Sequence, residues 1–165
     1  MIVVLMGVAG CGKTTLGKLL SARIGWPFFD ADDYHPAANI EKMRSAIALT
    51  DEDRRPWLDR LNALLAEQQA ARRDVLLGCS ALKQKYRDRL AAGLTDVRWV
   101  HLKGDFGLIE ARLKARKGHY MPPTLLASQF AALEEPVEAI VLDVAASPEE
   151  LMRQLLGRLG LRQPL

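Results

Sequence analysis

The ten residues 6–15, MGVAGCGKTT, constrain the fold more than any other stretch of the sequence. Gly7 and Gly12 are followed at once by Lys13 and Thr14, which is the G-x-x-x-x-G-K-[ST] pattern of a phosphate-binding loop. Glycines let such a loop turn tightly and bring its N–H groups to phosphate oxygens at the positive end of the next helix. The lysine adds a charge for the outer phosphates, and the threonine hydroxyl is the expected Mg²⁺ ligand. A chance match in a glycine-containing turn is disfavoured, because a strand-like apolar run precedes the motif.

Five short apolar runs recur along the chain, and a helical pattern follows each of them. This alternation predicts βαβ units and a parallel sheet covered on both faces. We therefore predict an α/β fold: one P-loop NTPase-type domain over residues 1–165, with a sheet of about five parallel strands. The predicted strands are Ile2–Met6, Pro27–Asp30, Val75–Cys79, Val97–Leu102 and Ala139–Leu142.

Two helices can be predicted in more detail from their residues. Ser147 is the expected N-cap of the last helix, with Pro148 at its first position and Glu150 three residues after the cap. A second helix is indicated by apolar residues at the i, i+3, i+4, i+7 spacing of a buried face. These residues are Trp57, Leu58, Leu61, Leu64 and Leu65.

Composition limits the classes of partner. The net charge of +3 is spread along the 165 residues and forms no basic run, so we expect no nucleic-acid partner. Cys11 and Cys79 lack metal-ligand spacing and are too few for a disulfide scaffold, which favours a reducing compartment and a cytoplasmic protein. No run approaches the roughly 20 apolar residues that span a bilayer, so we expect no membrane partner.

The second predicted strand ends in acidic residues. Asp30, Asp32 and Asp33 follow it at the carboxyl edge of the sheet, where open α/β folds bind ligands. One carboxylate there can orient an acceptor hydroxyl and accept its proton, and another can hold Mg²⁺ or its water. The alternative is that Asp33, or Asp32, only caps the next helix. Because no N-K-x-D or D-x-x-G segment of a GTP-dependent switch is present, a small kinase is the better interpretation.

A basic segment follows the fourth predicted strand. Arg112 and Arg116 are four residues apart, which would place them on one helix face. Guanidinium groups suit the charge of a transferring phosphoryl group, and a closing segment would exclude water. We therefore predict a mobile lid at about 112–128, with a hinge near Met121-Pro122-Pro123. The alternative is a solvated basic helix.

The combined motifs resemble the gluconate kinase (gluconokinase) family of small P-loop kinases, which is related to shikimate and nucleoside monophosphate kinases. The resemblance runs in order from residue 2 to about residue 143. It rests on the segments MGVAGCGKTT, DADDYHP, NIEKM, DRRPWL, CSALKQKYRDRL, LKGD, RLKARKGHYM and SQFAALEEP.

The resemblance implies a function. It is the ATP-dependent phosphorylation of D-gluconate at the 6-hydroxyl, with Mg²⁺, by a cytosolic homodimer. The catalytic residues expected from the resemblance are Lys13, Asp30 and Asp32, and the predicted lid adds Arg116. The expected nucleotide-binding residues are Gly7, Ala9, Gly10, Cys11, Gly12, Lys13, Thr14, Thr15 and Arg112, with Thr14 and Asp30 as metal ligands.

The expected substrate-binding residues are Asp32, His35, Arg54 and Lys83. A linear polyol with a carboxylate needs hydroxyl partners such as Asp32 and His35, and at least one cation. Either Arg54 or Lys83 could supply that cation, and the sequence does not decide between them. Each residue also has a plainer alternative, since His35 could pack in a turn, Arg54 could form a surface ion pair and Lys83 could be solvated. Trp57 is assigned to the core because it begins an apolar stripe.

Two departures from the family pattern bear on the acceptor. Ala31 stands where the family often has glycine, and residues 45–49 read SAIAL where the family often has Gly-x-Pro-Leu. If that first glycine adopts a positive φ or allows close approach of substrate, Ala31 would alter the pocket. Rival interpretations are therefore a sister kinase for shikimate or another polyhydroxy acid, and a nucleotide-driven regulatory protein. A nucleic-acid end kinase is a weaker rival, for want of a basic track.

Overall fold

The computed structural model describes residues 1–116 and 123–161 of the chain. Within them, five strands form one parallel sheet in the order β2-β3-β1-β4-β5. The strands are β1 (Ile2–Met6), β2 (Phe28–Asp30), β3 (Val75–Gly78), β4 (Val97–Lys103) and β5 (Ile140–Asp143). The predicted α/β fold is confirmed, and every predicted strand boundary lies within one residue of the observed one.

Helices follow the strands as the alternation predicts. They are α1 (Lys13–Ile24), α2 (Ala37–Arg44), α3 (Asp51–Ala70), α4 (Gln84–Ala91), α5 (Phe106–Ala115), α6 (Pro123–Ala132) and α7 (Pro148–Arg158). A 3-10 turn, Ala31–Tyr34, separates β2 from α2. Ser147 caps α7 as predicted, because its side chain accepts a hydrogen bond from the Glu150 N–H. None of the helices in the described ranges is long and apolar enough to cross a membrane.

The side chains of β1 alternate between two layers of core. Val3 and Leu5 pack on the side covered by α1, α5 and α7. Their neighbours in the strand pack on the other side, against α3 and α4. Both layers exclude water, since β1 is buried along its whole length. Parallel sheets need this cover on both faces, and it leaves the strand ends as the place for a site.

The helix pattern around Trp57 is largely confirmed. Trp57, Leu58, Leu61 and Leu65 are buried in α3, while Leu64 is only partly buried. Thr50 begins this helix with a capping box: its side chain accepts from the Asp53 N–H, and the Asp53 carboxylate accepts from the Thr50 N–H. The cap fixes where the helix starts, directly beside the candidate site.

The strand register aligns the carboxyl ends of β2, β3 and β1 along one edge of the sheet. Asp30 at the end of β2 pairs with Gly78 of β3, which also pairs with Leu5 of β1. The chain leaves β1 at Met6 and enters the phosphate loop. The sheet therefore places the acidic end of β2 two strands from that loop.

The predicted lid falls partly outside the described residues, which exclude 117–122. Its first arginine, Arg112, lies in the last turn of α5, and Arg116 is the residue after the helix. The expectation that both share one helical face is wrong, because α5 ends at Ala115 and the backbone of Arg116 is extended. The lid itself stays a prediction.

Candidate active site

The phosphate loop connects β1 to α1 and depends on glycine geometry. Gly7 has φ +143°, and a Cβ at this position would lie 2.8 Å from the Leu102 carbonyl oxygen. Gly12 caps α1 with φ +102°, a conformation that L side chains rarely adopt. The Gly7 N–H donates to the Ser80 carbonyl at 3.3 Å, which ties the start of the loop to the segment after β3. The start of the loop is therefore fixed against the carboxyl end of β3.

The first turn of α1 suits an anion. Gly12 has no side chain to cap it, and the first turn contains no acidic residue. Its N–H groups and the positive end of the helix dipole face the loop. The Lys13 ammonium donates to the carbonyls of Gly7 at 3.0 Å and Val8 at 2.9 Å. This places the loop's cation within the curve of the backbone, where phosphate oxygens would replace those carbonyls.

Thr14 and Asp30 meet across the loop and β2. The Thr14 hydroxyl donates to one carboxylate oxygen of Asp30 at 2.7 Å, and the other oxygen accepts from the Asp32 N–H at 3.1 Å. Asp30, and neither Asp32 nor Asp33, therefore caps the turn that follows β2. Two hard oxygen donors this close fit Mg²⁺, which takes one or two protein oxygens and completes its shell with water and phosphate.

His35 is fixed by its surroundings. Its ring stacks on Trp57 with centroids 4.3 Å apart, and its Nδ1 faces the Asn39 amide nitrogen at 3.3 Å. Because that amide nitrogen can only donate, the neutral ring carries its proton on Nε2, which lies 4.0 Å from an Asp32 carboxylate oxygen. Burial, with a smaller contribution from Arg54, lowers the pKa of His35 to about 4. His35 is thus neutral, and its Nε2 faces Asp32 from beyond hydrogen-bond distance.

Trp57 belongs to both the core and the site. It is 3% exposed, as the core assignment predicts, and its indole N–H donates to the Ala31 carbonyl at 2.7 Å. Ala31 itself is 1% exposed within the core beside α3, and its φ is not positive. The alanine in place of the family's glycine therefore causes no backbone strain in this chain.

Positive charges gather around Tyr86. The Arg54 guanidinium lies 5.4 Å from the centroid of this ring, and the Lys83 ammonium lies 5.7 Å from it. Lys83 also lies 3.5 Å from the Asp51 carboxylate, which accepts hydrogen bonds from Tyr86 and Lys85. These contacts hold the pKa of Asp51 well below its usual range, and burial together with Asp51 raises the pKa of Tyr86 to about 12.

Arg54 differs from Lys83 in its partners. Its guanidinium donates to the backbone carbonyls of Leu49 and Thr50, and within residues 1–116 and 123–161 no carboxylate oxygen lies within 4.0 Å of it. The surface ion pair considered from the sequence is therefore not formed. Three cations, Arg54, Lys83 and Lys85, lie around the Tyr86 ring. Lys83 and Lys85 pair with the one carboxylate of Asp51 and Arg54 does not, so this cluster retains positive charge.

Arg112 and Arg116 lie at the end of α5, a helix that packs against the phosphate loop, since a Cβ added at Gly10 would fall 2.7 Å from the Leu113 side chain. Arg112 donates to the Val144 carbonyl after β5, whereas Arg116 is exposed at the end of α5. Helix α6 also reaches the phosphate loop, because the Gln129 side-chain oxygen accepts from the Ala9 N–H at 2.7 Å. The elements on either side of the predicted lid thus both approach the loop.

Sequence reasoning missed Asp51, Tyr86 and Gln129. Tyr86 lies in the motif CSALKQKYRDRL, which also carries Lys83, whereas Asp51 stands two residues before the motif DRRPWL that carries Arg54. Gln129 gave no local signal, because its contact with Ala9 spans 120 residues of sequence. Cys11 and Cys79 are buried and free, and burial raises the pKa of Cys79 to about 12, so its thiol is neutral.

Fold and site together define a small P-loop kinase. Residues 2–140 match a family model described as an AAA domain. The chain is 40% identical over 183 aligned residues to a probable gluconokinase of Xenopus tropicalis, covering 100% of this chain and 96% of that protein. It is 44% identical over 147 residues to the thermoresistant gluconokinase of Escherichia coli (strain K12), covering 87% of this chain and 84% of that protein. The chain belongs to the gluconokinase family.

A solved structure gives the same result. The unliganded structure of a sugar kinase from Janibacter sp. HTCC2649 superimposes with a TM-score of 0.90 at 43% identity, covering 97% of this chain and 94% of that one. A likeness of this extent, at this identity, covers the loop, the sheet and the helices that build the site. The regulatory protein without turnover, considered as a rival from the sequence, is therefore not supported.

Proposed function

We propose that this kinase phosphorylates D-gluconate at its 6-hydroxyl, with ATP as donor, giving 6-phospho-D-gluconate and ADP. The observation that carries the proposal is the cation cluster of Arg54, Lys83 and Lys85, which retains positive charge around Tyr86. A neutral sugar needs no such cluster, whereas a linear polyol with a carboxylate does. The names of the relatives support the same acceptor.

On the nucleotide side, the proposal assigns the phosphates of ATP to the loop and the first turn of α1. The loop residues are Gly7, Ala9, Gly10, Cys11, Gly12, Lys13, Thr14 and Thr15. Lys13 would leave its loop carbonyls for the outer phosphates, and Thr14 with Asp30 would hold Mg²⁺. When bound, the metal balances charge on the phosphates.

On the acceptor side, we assign the hydroxyl to Asp32. Asp30 is already engaged by Thr14 and by the turn after β2, so its carboxylate suits the metal. Asp32 is exposed and has the His35 Nε2 4.0 Å away. The oxygen of the 6-hydroxyl attacks the γ-phosphorus, the bond to the β,γ-bridging oxygen breaks, and the hydroxyl proton passes to Asp32. Because the transition state is loose, orientation contributes more than base strength.

We assign the acceptor carboxylate to Arg54. Lys83 already has a carboxylate at 3.5 Å, whereas the partners of Arg54 are backbone carbonyls and the Tyr86 ring. A planar guanidinium can bind a carboxylate with two parallel hydrogen bonds. Lys83 then adds a second positive charge at the same end of the substrate.

The remaining features of the proposal concern the whole chain. Residues 1–165 would form one domain, in which Arg112 binds nucleotide and Arg116 reaches the transferring phosphoryl group when a lid closes over it. The resemblance to the family further suggests a homodimer in the cytoplasm.

The experiment is ADP release from Mg-ATP with a panel of acceptors: D-gluconate, other sugar acids, shikimate and nucleoside monophosphates. We expect turnover with D-gluconate to exceed that with every other acceptor, and phosphorus–carbon coupling in the NMR spectrum of the product to place the phosphate on carbon 6. Faster turnover with shikimate or a nucleotide would overturn the choice of acceptor. A phosphate on another carbon would overturn the assignment of the hydroxyl.

A further inference from the structure

Arg87 is a buried cation that the proposed reaction does not use. Its residue is 2% exposed, in the middle of α4. In the described ranges, no carboxylate oxygen lies within 4.0 Å of its guanidinium; all its hydrogen bonds go to neutral oxygens. Burying a guanidinium without a carboxylate is costly unless every N–H group is satisfied. The hydrogen bonds of Arg87 to backbone carbonyls indicate that it fixes the backbone around it.

The guanidinium holds a strained turn. Its Nη1 donates to the carbonyls of Ala81 at 2.8 Å and Leu82 at 3.2 Å. Ala81 has φ +43°, a left-handed conformation that is unfavourable for alanine, and it is 1% exposed. Packing and the hydrogen bonds to Arg87 therefore fix a backbone geometry that the sequence itself does not favour.

The turn lies between the two halves of the site. At one end the Ser80 carbonyl accepts from the Gly7 N–H of the phosphate loop. At the other end is Lys83, whose ammonium is 3.5 Å from Asp51 in the cation cluster. A shift of the turn would therefore move Lys83 relative to the loop.

Arg87 also attaches the turn to the segment after α6. Its Nη2 donates to the Glu134 carbonyl at 2.9 Å, while the Glu134 N–H donates to the Leu82 carbonyl at 2.8 Å. The Gln84 N–H in turn donates to the Glu134 carboxylate at 2.7 Å. The guanidinium therefore has four acceptors from two distant parts of the chain. They are the carbonyls of Ala81, Leu82 and Glu134 and the side-chain oxygen of Gln84.

We infer that Arg87 is a positioning residue of the acceptor site: by fixing the turn Ala81–Lys83 against Glu134, it places Lys83 for the carboxylate of the substrate. This inference rests on the proposed function, since the role of Lys83 is part of that proposal. It makes Arg87 act on acceptor binding and leaves the nucleotide site unchanged, although both sites border the turn.

The test compares two arginines on one helix. Arg87→Lys keeps the charge but lacks the planar fork needed for four acceptors. Arg89→Lys is the matched control, because Arg89 is exposed and binds Asp59 on the surface. We expect Arg87→Lys to raise KM for D-gluconate about tenfold, as for the loss of one good hydrogen bond, with KM for ATP within about twofold. Arg89→Lys should change neither.

A double-mutant cycle tests whether the effect passes through Lys83. Lys83→Met alone should raise KM for D-gluconate, and adding Arg87→Lys should raise it little further, because residues that act as a unit are not additive. Should Arg87→Lys fold poorly, Gln84→Ala removes one acceptor of the guanidinium from an exposed position and should shift KM for D-gluconate in the same direction by less.

Three results would overturn the inference. They are an Arg87→Lys enzyme with lowered melting temperature but unchanged KM for D-gluconate, an equal rise in both KM values, and fully additive effects with Lys83→Met. A wild-type enzyme that does not phosphorylate D-gluconate would instead overturn the proposed function, and the inference with it. The wild-type assay with D-gluconate therefore distinguishes failure of the proposed function from failure of the inference about Arg87.

Discussion

At the scale of single residues, the site separates three neighbouring aspartates by their contacts. Asp30 accepts from Thr14 and from the backbone of the turn, Asp32 faces His35, and Asp33 is exposed. The sequence placed all three at the sheet edge but could not separate them, because the separation depends on a 3-10 turn of only four residues. Their distinct positions imply distinct effects of the same substitution.

Asp32→Asn should lower kcat about a hundredfold or more, because the amide has one acceptor oxygen fewer to orient the hydroxyl and cannot accept its proton. KM for ATP should remain near its wild-type value, since the proposal assigns Asp32 to the acceptor hydroxyl and the phosphates of ATP to the loop and α1. Asp33→Asn is the matched control and should leave kcat within about twofold. Steady-state kinetics measures all three enzymes. An Asp32→Asn enzyme with wild-type kcat would contradict the role of Asp32.

The buried histidines should make stability depend on pH. The pKa of His35 is lowered from 6.5 to about 4, and burial also lowers that of His101. The unfolded chain therefore binds more protons than the native chain below pH 6.5, so the free energy of unfolding falls as the pH falls. His35 alone should account for a loss of about 2 kcal/mol between pH 7 and pH 5.

Urea unfolding at pH 7, 6 and 5 measures this dependence. His35→Asn should reduce the slope, because the asparagine does not titrate, and the contribution of His101 should remain. A stability that does not change from pH 7 to pH 5, or a slope identical in the variant, would show that His35 is not held neutral by burial.

Ala46 lies in the segment that departs from the family pattern and has φ +56°. This chain therefore carries an alanine in a backbone conformation that favours glycine. We expect Ala46→Gly to raise the free energy of unfolding by about 0.5–1 kcal/mol, after the added entropy of the unfolded chain is counted. Ala48→Gly, whose φ is not positive, should give no gain. Thermal unfolding of both variants measures the two changes in stability. An Ala46→Gly variant no more stable than the wild type would show that Ala46 is not strained.

At the scale of elements, helices α1 and α7 each contain a glycine, and the two glycines differ in what surrounds them. Gly17 in α1 lies against β2, where an added Cβ would fall 2.2 Å from the Phe28 ring. Gly157 in α7 has no atom within 4 Å of such a Cβ. The first glycine lets a helix approach the sheet closely, and the second has no such role.

Matched alanine substitutions test this difference. Gly17→Ala should destabilise the fold by about 1–3 kcal/mol, because Phe28 must move within a packed core. Gly157→Ala should stabilise it by about 0.5–1 kcal/mol through helix propensity. Denaturant unfolding gives both values, and a stabilising Gly17→Ala would contradict the close packing of α1 on β2.

The elements were the part of the structure most accessible from sequence. Apolar runs located the five strands, because β1 and β3 are buried along their whole length and the other three strands are at least partly buried. Ser147-Pro148 marked the start of α7 by capping chemistry that acts within four residues. The end of α5 was misjudged, because Arg112 and Arg116 have helical spacing whether or not the helix continues. The pairing of Arg87 with Glu134 spans 47 residues and has no local signal.

At the scale of the whole molecule, the sheet brings together two kinds of site. The end of β1 continues into a loop that suits phosphate, and the end of β2 continues into acidic and neutral hydrogen-bonding groups. The cation cluster comes from α3, from the turn before α4 and from the first turn of α4. A polyhydroxy carboxylate could extend from Asp32 to Arg54, with its hydroxyl end directed to the phosphate loop.

The measurement that tests this account most directly compares D-gluconate with D-glucitol, the same carbon chain without the carboxylate, in the wild type and in Arg54→Met. In the wild type we expect kcat/KM for D-gluconate to exceed that for D-glucitol by about a hundredfold or more, as for a charge-assisted pair. In Arg54→Met most of this preference should disappear, while KM for ATP stays near its wild-type value. Equal turnover of the two acceptors by the wild type, or a preference that survives in Arg54→Met, would contradict the account.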